Sequence, residues 1–317
     1  MTREHRVGVA AVATTGVLWG TTGTAATFAP EAGPLAIGSA ALGIGGILQA
    51  LIALRPLRAA LPALRERLGL VVLGAVSVAI YPLAFYASMH LAGVAIGSVV
   101  SLASAPLASG VIDRVVDRSR LGRGWAVAAA LGIAGGVLLC AEKASGGDPA
   151  ASTLLGIVLG LCAGVSYATY SWVVQRLIGG GISRAAAMGA VFGAGGVLLL
   201  PVLAVTGAPL VASGTAFAVA AYMALVPMFL GYVLFGIGLA RIPARSATTI
   251  TLIEPAVAAV LAVLIVGERF GVGGWIGLGL VAAALVVVAL APAGHGSSNE
   301  RILLTQTEGE RWTASTR

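Results

Sequence analysis

The sequence predicts an all-α polytopic membrane protein of ten transmembrane helices. Three observations carry that expectation. The chain is 58% hydrophobic and 10% charged, with a mean hydropathy of +1.00, which leaves too little polar surface for a soluble fold. Its apolar residues come in runs of about 18 to 25, the length of helix that crosses a hydrocarbon core of roughly 30 Å. Its basic residues lie between those runs, singly or in short clusters, as a topology signal does.

Taken in order, the runs and the charges between them define each element. Arg3 and Arg6 precede the first span, 7–28. The basic start and apolar run resemble a signal peptide, but with so many spans following they read as a retained first helix. The second span, 34–54, ends at Arg55, Arg58, Arg65 and Arg67, which lead into the third, 69–90. The fourth, 94–112, is followed by Arg114, Arg118, Arg120 and Arg123, and then by the fifth, 124–141. A polar linker, 142–152, holds Lys143. The sixth and seventh spans, 153–177 and 185–206, are joined by a loop with Arg176 and Arg184 at its edges. Arg241 and Arg245 separate the eighth, 214–239, from the ninth, 246–266. Arg269 follows the ninth, and the tenth is 273–291. A polar tail, 292–317, carries Arg301, Arg311 and Arg317 and is expected to be disordered.

With both termini cytoplasmic, 17 of the 19 basic residues fall inside and only Lys143 and Arg269 outside. That asymmetry supports the orientation and the even number of spans. A gapless shift of 149 residues lays Pro106 on Pro255, Ala95 on Ala244, Arg120 on Arg269, Gly122 on Gly271, Gly124 on Gly273 and Leu131 on Leu280. The chain therefore reads as two halves, 7–141 and 153–291, joined by 142–152. Five spans per half, an odd number, place the second half upside down relative to the first. Such inverted repeats put a ligand site near the midplane between the halves.

Glu254 is the one carboxylate of 12 acidic residues that lies deep in a span. An ionisable side chain there is expensive and marks a functional site by default. No Lys, Arg or His lies at a comparable depth, so the group suits proton coupling or a substrate cation; a neutral Glu hydrogen-bonded to a neighbouring helix is the bland alternative. Pro255 is expected to leave the Thr251 carbonyl free and to bend its helix, and Pro106 to do the same in the first half. The partner of Glu254 in the repeat is Ala105.

Polar and aromatic residues outline a wall for such a site. Thr21, Thr22 and their neighbours crowd the first span; Ser98, Ser101 and Ser104 recur at helical spacing in the fourth; Thr248, Thr249 and Thr251 precede Glu254. Many of these can bond back to their own helix. Among the aromatics, Trp19, Tyr81 and Tyr167 sit mid-span and are the preferred lining, while others anchor at interfaces. Gly16-Gly20, Gly132-Gly136, Gly156-Gly160-Gly164, Gly189-Gly193 and Gly273-Gly277 are GxxxG steps that suit close helix packing. Glu268 and Arg269 are expected to form a structural ion pair at the outer end of the ninth span.

Other chemistries are not supported. The only lysine has no glycine-rich approach, so there is no phosphate loop, and neither HExxH nor GxSxG occurs. His5, His90 and His295 lie near span ends or in tails, and Cys140 and Cys162 fall inside apolar runs as packing residues. An enzyme is not expected, nor a metal, cofactor or nucleic-acid partner. The expected partners are the lipid bilayer, a small-molecule substrate, protons and a second copy in a homodimer.

Leu18-Trp19-Gly20, the prolines of the fourth and ninth spans, Glu254-Pro255 through Gly267-Glu268-Arg269, and the Gly271 to Gly279 run together resemble the EamA branch of the drug/metabolite transporter superfamily. The resemblance covers about residues 7–291. It implies an inner-membrane secondary carrier, often an exporter of amino acids, metabolites or drugs. It also implies a cavity between spans one, three, four, six, eight and nine, with spans five and ten peripheral and available for dimers. The first half departs from the pattern, since Asp117-Arg118-Ser119-Arg120 stands where the family has Gly-Glu-Arg. The alternative reading is a non-transporting membrane scaffold or sensor with a fully packed interior.

Overall fold

The structure is a computed structural model that describes residues 3–116, 118, 123–145, 150–239, 241, 250, 251 and 253–290. The expected tail 292–317, residues 146–149 of the linker and residues 246–249 and 252 of the ninth span lie outside them. Among the described residues every element is helical. Helix occupies each of the ten expected segments. Six stretches are long and apolar enough to cross a membrane: Pro30–Ile52, Leu68–Ala92, Val94–Val116, Ala151–Gly179, Arg184–Thr206 and Gly214–Gly238. Arg123–Leu139, Ile253–Val266 and Val272–Val287 are shorter apolar helices.

The first span is two helices, α1 (Arg3–Gly20) and α2 (Thr22–Thr27), separated at Thr21. α3 (Gly33–Ile52) is followed by two short helices, α4 (Leu54–Ala59) and α5 (Leu61–Glu66). Then come α6 (Leu68–Ala92), α7 (Val94–Val116) and α8 (Arg123–Ser145). The second half begins with α9 (Ala150–Gly179) and α10 (Arg184–Thr206). The eighth span is α11 (Gly214–Met223), a π-helical segment Ala224–Leu230 and α12 (Gly231–Leu239). The ninth is described from α13 (Ile253–Leu261), which runs into a second π-helical segment, Ala262–Val266; α14 (Val272–Leu290) is the tenth.

Part of the packing follows the repeat. α6 packs on α9 and α7 on α9; in the other half α12 packs on α1 and α13 on α1. α3 packs on α10, and α8 on α14. Exchanging the halves returns these six pairs, while the packing of α6 on α3 and on α7 is particular to the first half among the described residues. The closest seams are made by glycine, as membrane helices require. A Cβ on Gly164 of α9 would lie 3.0 Å from the Ala105 nitrogen, and one on Gly16 of α1 would lie 3.6 Å from the Glu254 nitrogen. These are the same pair of positions in each half. Gly135 and Gly277 form the seam between α8 and α14, each facing the other's carbonyl. Gly136, which the GxxxG spacing also singled out, meets only open space.

Two sequence expectations about the ninth span need correction. Pro255 does not bend a continuous helix: it stands in the first turn of α13, where an N–H would have no intrahelical acceptor anyway. The Thr251 carbonyl is not free either, because it accepts the Glu254 N–H at 2.9 Å in a tight turn. At the far end, Gly267 takes a left-handed φ of 79°, and the chain turns toward α7. There the Glu268 carboxylate accepts the N–H groups of Val94 (2.5 Å) and Ala95 (3.2 Å). Glu268 therefore caps the first turn of α7 from the other half of the repeat, where the helix dipole favours a negative charge. Among the described residues no ion pair joins it to Arg269, because a fixed row of unpaired N–H groups holds a carboxylate better than one exposed side chain does. The counterpart of Gly267 in the first half is Arg118, which takes the same left-handed turn at φ 54°.

Three outcomes follow for thermal melting of the purified protein in detergent. Gly20→Ala should destabilise by about 1–3 kcal/mol, since its Cβ would fall 2.7 Å from both the Glu254 carbonyl oxygen and the Val257 Cβ. Gly136→Ala should be neutral or stabilising by up to about 1 kcal/mol, as helix propensity alone acts there. Glu268→Ala should lower stability by about 1 kcal/mol, the usual worth of a cap, with Arg269→Ala having little effect. Equal effects of the two would return Glu268 to the ion-pair reading.

Candidate substrate site

Glu254 lines a cavity between the halves, together with Trp19, Thr22, Ala41, Leu42, Tyr81, Pro82, Phe85, Tyr86, Tyr167, Met228 and Tyr232. Each half contributes. α1, α2, α3 and α6 form one side, and α9, the π-helical part of the eighth span, α12 and α13 form the other. The water-accessible volume is about 20 Å³, room for one water molecule and not for a metabolite. Among the described residues the Glu254 carboxylate makes no hydrogen bond and no ion pair.

The aromatic wall is held by its own geometry. The Trp19 indole N–H donates to the Pro227 carbonyl at 2.9 Å, and its ring lies 4.9 Å from Tyr232 and 5.5 Å from Phe235. Phe192 links Tyr232 to Tyr170, at 5.0 and 5.3 Å. Tyr81 contacts Tyr167 at 5.7 Å and Phe85 at 5.5 Å, and Phe85 contacts Tyr86 at 5.3 Å. Stacked, tilted and edge-on pairs at these distances are favourable beyond their burial. The result is an unbroken arc of rings from α1 to α6 around one carboxylate.

The π-helical segment explains why Trp19 sits where it does. Pro227 lacks an N–H, so the carbonyl one turn before it loses its ladder donor, and the segment has π-helical geometry. Three carbonyls at and after Pro227 take side-chain donors from the first half of the chain. The Trp19 indole donates to Pro227, Gln49 of α3 to Met228 at 3.3 Å, and the Thr15 hydroxyl of α1 is shared between Gly231 at 3.1 Å and Ala11 of its own helix at 3.0 Å. The break at Thr21 is closed by a hydrogen bond of 2.6 Å between the Thr21 hydroxyl and the Tyr222 hydroxyl.

Of the residues the sequence singled out, the structure brings together Glu254, Trp19, Tyr81 and Tyr167. Ser101 lies elsewhere. It is buried in the seam of α7 against Gly160 of α9, with its hydroxyl unpartnered among the described residues. Thr251 contributes its backbone to the turn before Glu254 and does not line the cavity. The fourth span therefore gives no lining, because Gly160 and Gly164 draw it hard against the sixth. The second span takes its place through Ala41 and Leu42, two small apolar residues with no sequence signal. Tyr86, Phe85 and Tyr232 were visible as aromatics but not distinguishable from lipid-facing bulk. Among the described residues no three His, Cys, Asp or Glu side chains gather as a metal site would need.

Trp19→Phe keeps a ring in the wall and removes the indole donor. It should lower stability by about 1–3 kcal/mol, the range for leaving a buried acceptor unmet. Melting in detergent measures this, and an unchanged midpoint would mean that the Pro227 carbonyl finds another donor.

Known proteins share this layout. A family model described as the EamA-like transporter family matches the chain twice, over residues 6–141 and 154–290. An uncharacterized transporter, YwfM of Bacillus subtilis (strain 168), is 31% identical over 275 residues, which cover 86% of this chain and 90% of that protein. One solved crystal structure has the same fold at a TM-score of 0.59 and 19% identity, covering 89% of this chain and 96% of its own. With a family match in each half around one shared cavity, this multi-pass membrane protein belongs to the EamA-like transporter family.

Proposed function

We propose that the chain is a secondary transporter that exports a small metabolite by alternating access, coupled to protons through Glu254. The observation that carries the reading is a carboxylate with no partner among the described residues, set in an aromatic cavity between the two halves. Such a group takes up a proton, or a substrate that carries a positive charge, and either event changes the charge of the cavity. The aromatic faces suit a substrate with apolar or cationic character.

Ten spans in two inverted repeats, with both termini cytoplasmic in the cell membrane, supply the geometry. The symmetry of the packing and the distribution of the basic residues support that arrangement. A cavity of about 20 Å³ admits a substrate only after the rings part. Rocking of one half against the other would open it to each side in turn, with the break at Thr251 beside Pro255, the kink expected at Pro106 and the turn at Thr21 as bending points. The outer faces of α8 and α14, with Ile133, Val137, Trp275 and Ile276 exposed, are where a second copy would pack in a homodimer. A non-transporting scaffold has no use for a carboxylate set unpartnered among rings between the halves, and that group supports the carrier.

An export and sensitivity screen in cells overproducing the protein, against amino acids and cationic dyes, identifies a transported compound. In reconstituted vesicles Glu254→Gln should then lose at least about tenfold of transport driven by a pH gradient, the range for removing a group the coupled step requires. Normal transport by Glu254→Gln at every imposed gradient would end the proton role.

A further inference from the structure

A second site lies far from the cavity, at the Arg55 end of α3. An apolar groove with a water-accessible volume of about 330 Å³ runs between α3 and α10 and opens outward. Its walls are wholly apolar: Ile47 and Leu51 on α3, Leu54 and Leu57 on α4, and Ala194 and Val197 on α10 stand along it. α4 packs against α10, so the groove ends against this short helix. The same helix carries Arg55 and Arg58, both exposed. Among the described residues neither guanidinium group has an ion pair or hydrogen bond.

Two free cations on the helix that ends an apolar groove select one occupant in a bilayer. We infer that the groove is a binding site for an anionic phospholipid, with one acyl chain along α3 and α10 and the phosphate on Arg55 and Arg58. The charges and the groove divide the recognition. A chain in the groove replaces contacts that any lipid tail would make, so it gives position without headgroup preference. The arginines supply the preference for negative charge, each worth roughly fivefold in binding at a membrane surface. They fall on the side that the distribution of basic residues assigns to the cytoplasm, where the leaflet carries its anionic lipids. A lipid seated there touches the second and seventh spans together, one from each half.

The test uses the full chain purified in detergent, with bound lipid read by native mass spectrometry and stability by thermal melting. Phosphatidylglycerol should be retained at least about tenfold over phosphatidylcholine and should raise the melting midpoint. The double variant Arg55→Gln, Arg58→Gln should abolish that preference. Arg118→Gln, which removes a charge elsewhere, should keep it. Ala194→Phe, which fills the groove from α10, should weaken retention of both lipids while leaving the charge intact. The inference is overturned if the double variant keeps its preference, if Arg118→Gln loses it equally, or if inorganic phosphate alone protects as well as the lipid.

Discussion

In hydrocarbon a backbone carbonyl or N–H has no water to turn to, and leaving one unmet costs several kcal/mol. The centre of this protein is arranged around that constraint. The eighth span carries Pro227 inside its helix, in a segment of π-helical geometry. Trp19, Thr15 and Gln49 donate to three carbonyls there, those of Pro227, Gly231 and Met228, and all three donors come from the first half of the chain. The position of the first span, and with it the Trp19 side of the cavity, follows from those bonds. The Glu254 turn then packs on the Gly16 and Gly20 face of the same helix.

The two halves share a framework and differ in what they hang on it. Gly16 faces the backbone at Glu254 as Gly164 faces that at Ala105, so the seam repeats while the side chain does not. Gly267 and Arg118 occupy equivalent left-handed turns, one at no steric expense and one against the preference of any residue with a Cβ. After Gly267 comes a carboxylate that caps α7; after Arg118 comes Ser119. Symmetry built the scaffold, and departures from it confine acidic chemistry to the second half.

Much of this was legible beforehand for a simple reason. Hydropathy reports where a helix must be to avoid water, and the helices lie where the apolar runs predict them. A charge inside such a run is equally conspicuous, so Glu254 stood out. Mid-span position was enough to select Trp19, Tyr81 and Tyr167. It failed for Ser101, whose fate depends on which neighbour two glycines of another helix bring against it. Ala41 and Leu42 were invisible because nothing distinguishes an alanine facing a cavity from one facing lipid. The partner of Glu268 lies 174 residues away in the chain, so a reading confined to neighbours chose Arg269. Thr251 and Pro255 were read as parts of a continuous helix, and only the fold shows that a new helix begins between them.

The bonds of Thr15 and Trp19 span 216 and 208 residues of chain. A ribosome delivers the first helix long before it delivers the eighth. During that interval the Thr15 hydroxyl keeps the Ala11 carbonyl of its own helix, while the Trp19 indole waits in the bilayer for its acceptor. Contacts of such separation form late and slowly. The cavity is therefore among the last features to assemble during biogenesis, and a chain arrested before its eighth span would lack the carbonyls that seat Trp19.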